Sequence, residues 1–165
     1  PKKALVEVER ITDAFCAADA ANADYYRANS KRYCDELSAL DKKLDQIASD
    51  SKRKSFVTAH AAFGHLANDY GLRQLAVAGL SPEAEPTPAD LQRLIFTVRY
   101  EDVKYIFFQT LSNPKTAKLL ADETGAQVSV LDPLEWLNEA GRKAQLTYLK
   151  IMERNVENLG KALNE

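Results

Sequence analysis

The sequence predicts an α/β fold, in which a four-stranded parallel sheet with helices on both faces is preceded by a long helical hairpin. Two observations support this prediction. The first 49 residues carry apolar side chains at helical spacing, and the remainder alternates between short β-branched or aromatic runs and helical patterns. Such alternation is typical of parallel sheets covered by helices. We therefore expect a helical hairpin over residues 1–49 and one compact α/β unit over residues 50–165.

Two helices are predicted in the hairpin. Residues 2–18 carry one apolar stripe. Asn22 or Asp24 is expected to cap a second helix, whose stripe begins at Tyr26 and which continues to about residue 49. In this arrangement Cys16 lies near the turn, and Cys34 lies about three helical turns along the second helix. Their Cα atoms are then too far apart for the separation of roughly 4.4–6.8 Å that a disulfide requires. We expect two reduced, packed cysteines.

Four short apolar runs predict the strands of the α/β unit, at 55–59, 74–78, 104–108 and 127–131. The patterns between and after them predict helices at 61–70, 87–101 and 114–124, and a last helix that carries apolar residues from Leu146 to Leu163. Thr87-Pro88 and Asn113-Pro114 are typical of helix starts. Gly71 and Gly125 stand where a glycine ends a helix. The connection at 49–54 reads as a solvated loop.

Composition, the length of apolar runs and the absence of known motifs exclude several function classes. Among 165 residues, 22 Lys and Arg face 24 Asp and Glu, so the net charge of −2 offers no basic surface for nucleic acid. No apolar run reaches the roughly 18 residues that a membrane span requires. We find no dinucleotide-binding glycine motif, phosphate-binding lysine loop or serine nucleophile elbow, and neither cysteine has a histidine partner, so we predict no enzyme. With only two histidines, a self-contained catalytic zinc site is hard to build.

Ligands of open α/β sheets bind at the carboxyl ends of the strands. Here His60 follows the first predicted strand, acidic residues lie in the segment 79–86 after the second, and Asp132 and Glu135 follow the fourth. Imidazole and carboxylate are competent zinc or manganese ligands. The alternative is that His60 caps the next helix and the acids are ordinary loop residues. His65, five positions further along a predicted helix, would not share a face with His60.

Several segments resemble the zinc/manganese substrate-binding proteins of ABC importers (the cluster A-I family). The resemblance covers nearly the whole chain, in the right order, at 56–72, 79–88, 113–117, 123–126, 131–135 and 148–155. Members of this family have two α/β lobes joined by one rigid backbone helix, and the metal lies between the lobes. This chain resembles the backbone helix, within residues 1–49, and the C-terminal lobe. We expect it to be one lobe of a two-lobed protein, without the N-terminal lobe and its two histidines.

The resemblance implies metal ligands and partners. His60 falls on the histidine position of the second lobe, and Glu135 falls on its carboxylate position. A histidine with a carboxylate favours zinc, with manganese as the alternative metal. The implied partners are the missing N-terminal lobe and an ABC permease, in the periplasm or at the outer face of the cytoplasmic membrane as a lipoprotein. Removal of one lobe exposes the surface that faced it, so we also expect a homodimer through that surface. No nucleic acid partner is implied.

Three residues depart from the family pattern: His65 stands where Tyr is usual, Gln109 where Glu is common, and Trp136 where Gly is frequent. Gln109 therefore cannot supply a charge after the third strand, and Trp136 either shields Glu135 or simply packs. With two protein ligands, the chain should bind zinc weakly. The competing interpretation is a metal-independent interaction or adhesin-like module of the same fold.

Overall fold

The computed structural model describes residues 1–77, 87–108, 115–135, 137 and 139–165. Its contacts divide the chain into two compact units, Pro1–Gln46 and Ile47–Glu165. Helix α1 spans Lys2–Ala18, a 3-10 turn covers Ala20–Asn22, and α2 spans Ala23–Asp50. The remaining elements are β1 (Ser55–Thr58), α3 (Gly64–Asp69), β2 (Arg73–Ala76), α4 (Pro88–Tyr100), β3 (Tyr105–Phe108), α5 (Lys115–Thr124), β4 (Gln127–Val130), α6 (Glu139–Lys143) and α7 (Tyr148–Asn164).

The first unit is a helical hairpin. Lys2 at the start of α1 forms an ion pair of 3.2 Å with Asp45 near the end of α2, so the two helices run antiparallel. At the turn, the rings of Phe15 and Tyr26 stack with their centroids 5.4 Å apart. The Asp19 carboxylate accepts hydrogen bonds from Asn22 and Tyr26, which lower its pKa. These contacts close the turn at the position that the two apolar stripes predict. Cys16 and Cys34 are free thiols, both half-buried.

The second unit contains one parallel sheet with the strand order β2-β1-β3-β4. On one face, Val57 and Ile106 pack with side chains of α4 and α5, including Leu94, Val98 and Leu120. Because side chains alternate along a strand, Phe56 and Phe107 point to the other face, where α7 contacts β1 and β4. The prediction of a four-stranded parallel sheet with helices on both faces, after a long helical hairpin, is confirmed.

The residues predicted to cap helices, Thr87 at a start and Gly71 and Gly125 at ends, agree with the structure. Thr87 caps α4 in a capping box, in which its hydroxyl accepts from the Asp90 N–H and the Asp90 carboxylate accepts from the Thr87 N–H. Gly71 and Gly125 adopt left-handed φ values of 63° and 75°. The Asn113-Pro114 start lies outside the described residues.

Several predicted bounds differ from the structure, most of them by one or two residues. Helix α3 begins at Gly64, so 61–63 is not helical, and α2 continues to Asp50, one residue into the predicted loop. The five-residue α6 was not predicted, because so short a helix carries little periodic signal. None of the helices in the described part of the chain is long and apolar enough to cross a membrane.

We predict that Gly125→Ala lowers the free energy of unfolding by about 1–2 kcal/mol, because an L side chain is strained in the left-handed region. A Cβ at this position would meet no atom within 4 Å, so the backbone angle alone is responsible. Gly64→Ala is the matched control, since its Cβ also meets nothing and its φ is not left-handed. Urea denaturation should show a loss only for Gly125→Ala, and equal stability of the two variants would contradict this account.

Candidate metal site

His60 lies just beyond the carboxyl end of β1, in the loop that leads to α3. The Ala59 N–H continues the sheet by donating to the Phe107 carbonyl at 3.0 Å, and His60 follows directly. The imidazole is buried, with 4% of the side chain exposed. The N-cap of α3 is Phe63, so the alternative in which His60 caps that helix does not agree with the structure.

A hydrogen-bond network fixes the backbone of His60. The His60 carbonyl accepts from the Thr58 hydroxyl at 2.8 Å, the Gln74 side-chain amide at 2.9 Å and the Ala62 N–H at 3.0 Å. The same Gln74 amide group donates to the Thr58 hydroxyl at 2.7 Å, and its Oε1 accepts from the Phe63 N–H at 3.1 Å. Gln74 thus joins both ends of the His60 loop to β2. Sequence reasoning missed Gln74, because it reads as one polar residue within an apolar strand.

Glu135 lies in the loop after β4. The Leu131 N–H donates to the Phe108 carbonyl at 3.1 Å, which extends the sheet by one residue. The Asp132 carboxylate then accepts from the Leu134 N–H at 2.8 Å, and Leu134 has a left-handed φ of 64°. Asn155 of α7 hydrogen-bonds to the backbone of Asp132, a second contact that the sequence did not indicate. Together these bonds give the chain a sharp bend immediately before Glu135.

The structure brings His60 and Glu135 together. His60 Nε2 lies 3.9 Å from Glu135 Oε1, and 44% of the Glu135 side chain is exposed. This distance exceeds the roughly 2.7–3.2 Å of a direct hydrogen bond. Two ligand atoms on a tetrahedral zinc ion, each about 2.0–2.1 Å from it, are about 3.4 Å apart. An approach of about 0.5 Å by the exposed carboxylate would therefore place both atoms at bonding distance from one ion.

The other sequence-predicted residues do not join this pair in the described part of the chain. His65 is exposed on α3. Within the described ranges, no group of three or more His, Cys, Asp or Glu side chains could hold a metal ion. The acidic segment 79–86, Gln109 and Trp136 lie outside the described residues. The described geometry supplies two ligand groups, one nitrogen and one carboxylate.

Comparison with known proteins adds a family. The family model "ZnuA: Zinc-uptake complex component A periplasmic" matches residues 1–162. The zinc-binding protein AdcA of Streptococcus pyogenes serotype M6 is 41% identical over 159 residues, which cover 96% of this chain and 31% of that protein. The chain therefore spans about a third of the length of this relative.

Solved structures agree with the family match. The Zn(II)-bound ZnuA-like domain of Streptococcus pneumoniae AdcA superimposes with a TM-score of 0.85 at 39% identity, covering 100% of this chain and 62% of that one. The laminin-binding protein Lmb of Streptococcus agalactiae gives a TM-score of 0.82 at 35% identity, and the match covers 93% of this chain and 58% of that one. Lmb is described as bifunctional, with adhesin and metal-transporting activity.

We predict that Gln74→Leu lowers the free energy of unfolding by about 1–3 kcal/mol, because it leaves the Phe63 N–H and the Thr58 hydroxyl each short of a partner. Gln127→Leu is a matched control, since Gln127 is exposed on a strand of the same sheet. The control should change stability by no more than about 0.5 kcal/mol. Equal losses in thermal denaturation would refute the anchoring role of Gln74.

Proposed function

We propose that this chain, which belongs to the family of ZnuA, the periplasmic component A of a zinc-uptake complex, is the C-terminal lobe of an extracytoplasmic substrate-binding protein. In this role the chain binds zinc. The observation that carries this proposal is the pairing of buried His60 with Glu135 at 3.9 Å at the carboxyl edge of the sheet. The family is one of transport components, not of enzymes. Zinc is the cargo, and no covalent step is involved.

The donor set favours zinc over manganese. One imidazole nitrogen and one carboxylate oxygen are typical ligands of tetrahedral zinc, whereas manganese favours sites made mostly of oxygen. Zinc also binds a given site of this kind more tightly than manganese does. The Zn(II)-bound state of the S. pneumoniae AdcA domain supports the same choice. We therefore propose zinc as the cognate ion and manganese as the alternative.

Two ligands hold an ion weakly, so the proposal includes further partners. An N-terminal lobe, on a longer protein such as the relatives of which this chain spans only a part, would complete the coordination of zinc. The loaded protein would then deliver the ion to an ABC permease, which places the chain in the periplasm or on a lipid anchor outside the cytoplasmic membrane. A homodimer that brings two His60–Glu135 pairs together would complete the site in another way.

A second candidate function is adhesion. The structural similarity to Lmb, described as having both adhesin and metal-transporting activity, supports an interaction role on the same fold. Zinc binding distinguishes the two candidates, because a metal-independent module does not depend on His60 or Glu135.

We predict that His60→Ala abolishes zinc binding by this chain, and that Glu135→Gln weakens it, because each variant removes one of two ligands. His65→Ala is the matched control, since His65 is an exposed histidine outside the pair. Calorimetric titration of the parent and the three variants with zinc provides the measurement. Equal losses in His60→Ala and His65→Ala would contradict the assignment.

We also predict that the 165-residue chain binds zinc with a Kd weaker than about 1 μM, since two protein ligands form no enclosing cage. Titration at several protein concentrations, combined with sedimentation, separates a monomeric half-site from a dimer that binds one zinc per two chains. Nanomolar binding of one zinc by a monomer would contradict the half-site proposal.

A further inference from the structure

Asn155 lies on α7, opposite the loop that carries Glu135. It is buried, with 3% of its surface exposed. Its Oδ1 accepts from the Asp132 N–H at 2.8 Å, and its Nδ2 donates to the Asp132 carbonyl at 2.7 Å. One amide side chain thus satisfies both backbone polar groups of the second residue after β4. A buried backbone group that loses such a partner costs free energy. The two hydrogen bonds between Asn155 and Asp132, here called the Asn155 clamp, therefore restrict the loop strongly.

The Asn155 clamp acts at Asp132, the first residue of the bend at 132–134 that precedes Glu135. The Asp132 carboxylate accepts from the Leu134 N–H at 2.8 Å, which holds Leu134 in the left-handed region at a φ of 64°. That conformation costs a leucine about 1–2 kcal/mol, so it persists only where neighbouring contacts enforce it. A return of Leu134 to an ordinary φ would turn the next residue, Glu135, in another direction.

Packing contributes less to the direction of Glu135 than the backbone does. The Glu135 side chain is 44% exposed, whereas the His60 side chain opposite it is 4% exposed. The fixed half of the pair is therefore His60. Glu135 depends on the bend at 132–134 for its approach to within 3.9 Å of His60.

We propose that Asn155 is a positioning residue that directs the Glu135 carboxylate toward His60 and so raises the zinc affinity of the pair. This role rests on the proposed function, because it requires that the pair binds zinc. Outer contacts that orient a metal ligand typically change metal affinity by about 10–100-fold. Asn155 acts through three linked features, namely the Asp132 backbone, the hydrogen bond to Leu134 and the left-handed φ.

Asn158 provides a matched control on the same helix. Its Nδ2 donates to the Val130 carbonyl at 2.9 Å, which is also a side-chain amide bond to the end of β4. That bond lies before the bend and does not reach Asp132 or Leu134. A purely structural role predicts that zinc affinity falls together with thermal stability in both variants, whereas a positioning role lowers the zinc affinity of the Asn155 variant alone.

The test compares zinc titrations of the 165-residue chain as the parent, Asn155→Leu, Asn158→Leu, Glu135→Gln and the double variant Asn155→Leu/Glu135→Gln, with thermal denaturation of each. We expect Asn155→Leu to lower zinc affinity about tenfold. Asn158→Leu should lower it less than about twofold, and the double variant should bind like Glu135→Gln alone. Asn155→Ser removes the amide without adding a charge, so it provides a second variant if Asn155→Leu does not fold.

Three outcomes would overturn the positioning role. The first is parent-like zinc affinity in Asn155→Leu, or in Asn155→Ser if the former does not fold, while Glu135→Gln is weakened. The second is equal loss in the Asn155 and Asn158 variants. The third is a double variant whose loss is the product of the two single losses, since independent residues act additively in free energy. Parent-like binding by Glu135→Gln would instead refute the proposed function itself, and the positioning role with it.

Discussion

The approach of His60 to Glu135 depends on two loops that bend toward each other across the width of one strand. The strand order places β3 between β1, which His60 follows, and β4, which precedes Glu135. Neighbouring strands are about 4.8 Å apart, so the ends of β1 and β4 are about 9–10 Å apart. The two side chains nevertheless lie 3.9 Å from each other. The rest of the candidate site consists of the contacts that hold these loops in place.

Both loops are held in the same chemical way. A side-chain amide from a neighbouring element, Gln74 on β2 for one loop and Asn155 on α7 for the other, hydrogen-bonds to backbone groups of the loop just beyond the end of the strand. An amide suits this task because it donates and accepts at once and carries no charge that would compete for a cation. The result is a buried imidazole opposite a carboxylate that is 44% exposed, an arrangement that agrees with the proposed binding and later release of zinc.

The sequence predicted the fold well, because most of its elements carry strong local signals. Periodic apolar residues located α1, α2 and α7, and the glycine of left-handed φ at 125 marked the end of α5. The helix predicted from residue 61 was wrong at its start, because the Gln74 network holds 60–63 in a loop and no local pattern reveals a contact 11 residues away. Asn155 escaped prediction for the same reason, since it contacts Asp132 across 23 residues. The pairing of His60 with Glu135 came from the family resemblance, because periodicity alone left His60 as a helix cap or a ligand.

The most direct test of the account is to locate the ion. Diffraction data from zinc-soaked crystals of this chain, collected on both sides of the zinc absorption edge, would identify zinc by its anomalous signal. We predict one peak about 2.0–2.1 Å from His60 Nε2 and about 2.0–2.2 Å from a Glu135 carboxylate oxygen. A peak at His65 or elsewhere, with no zinc between His60 and Glu135, would contradict it.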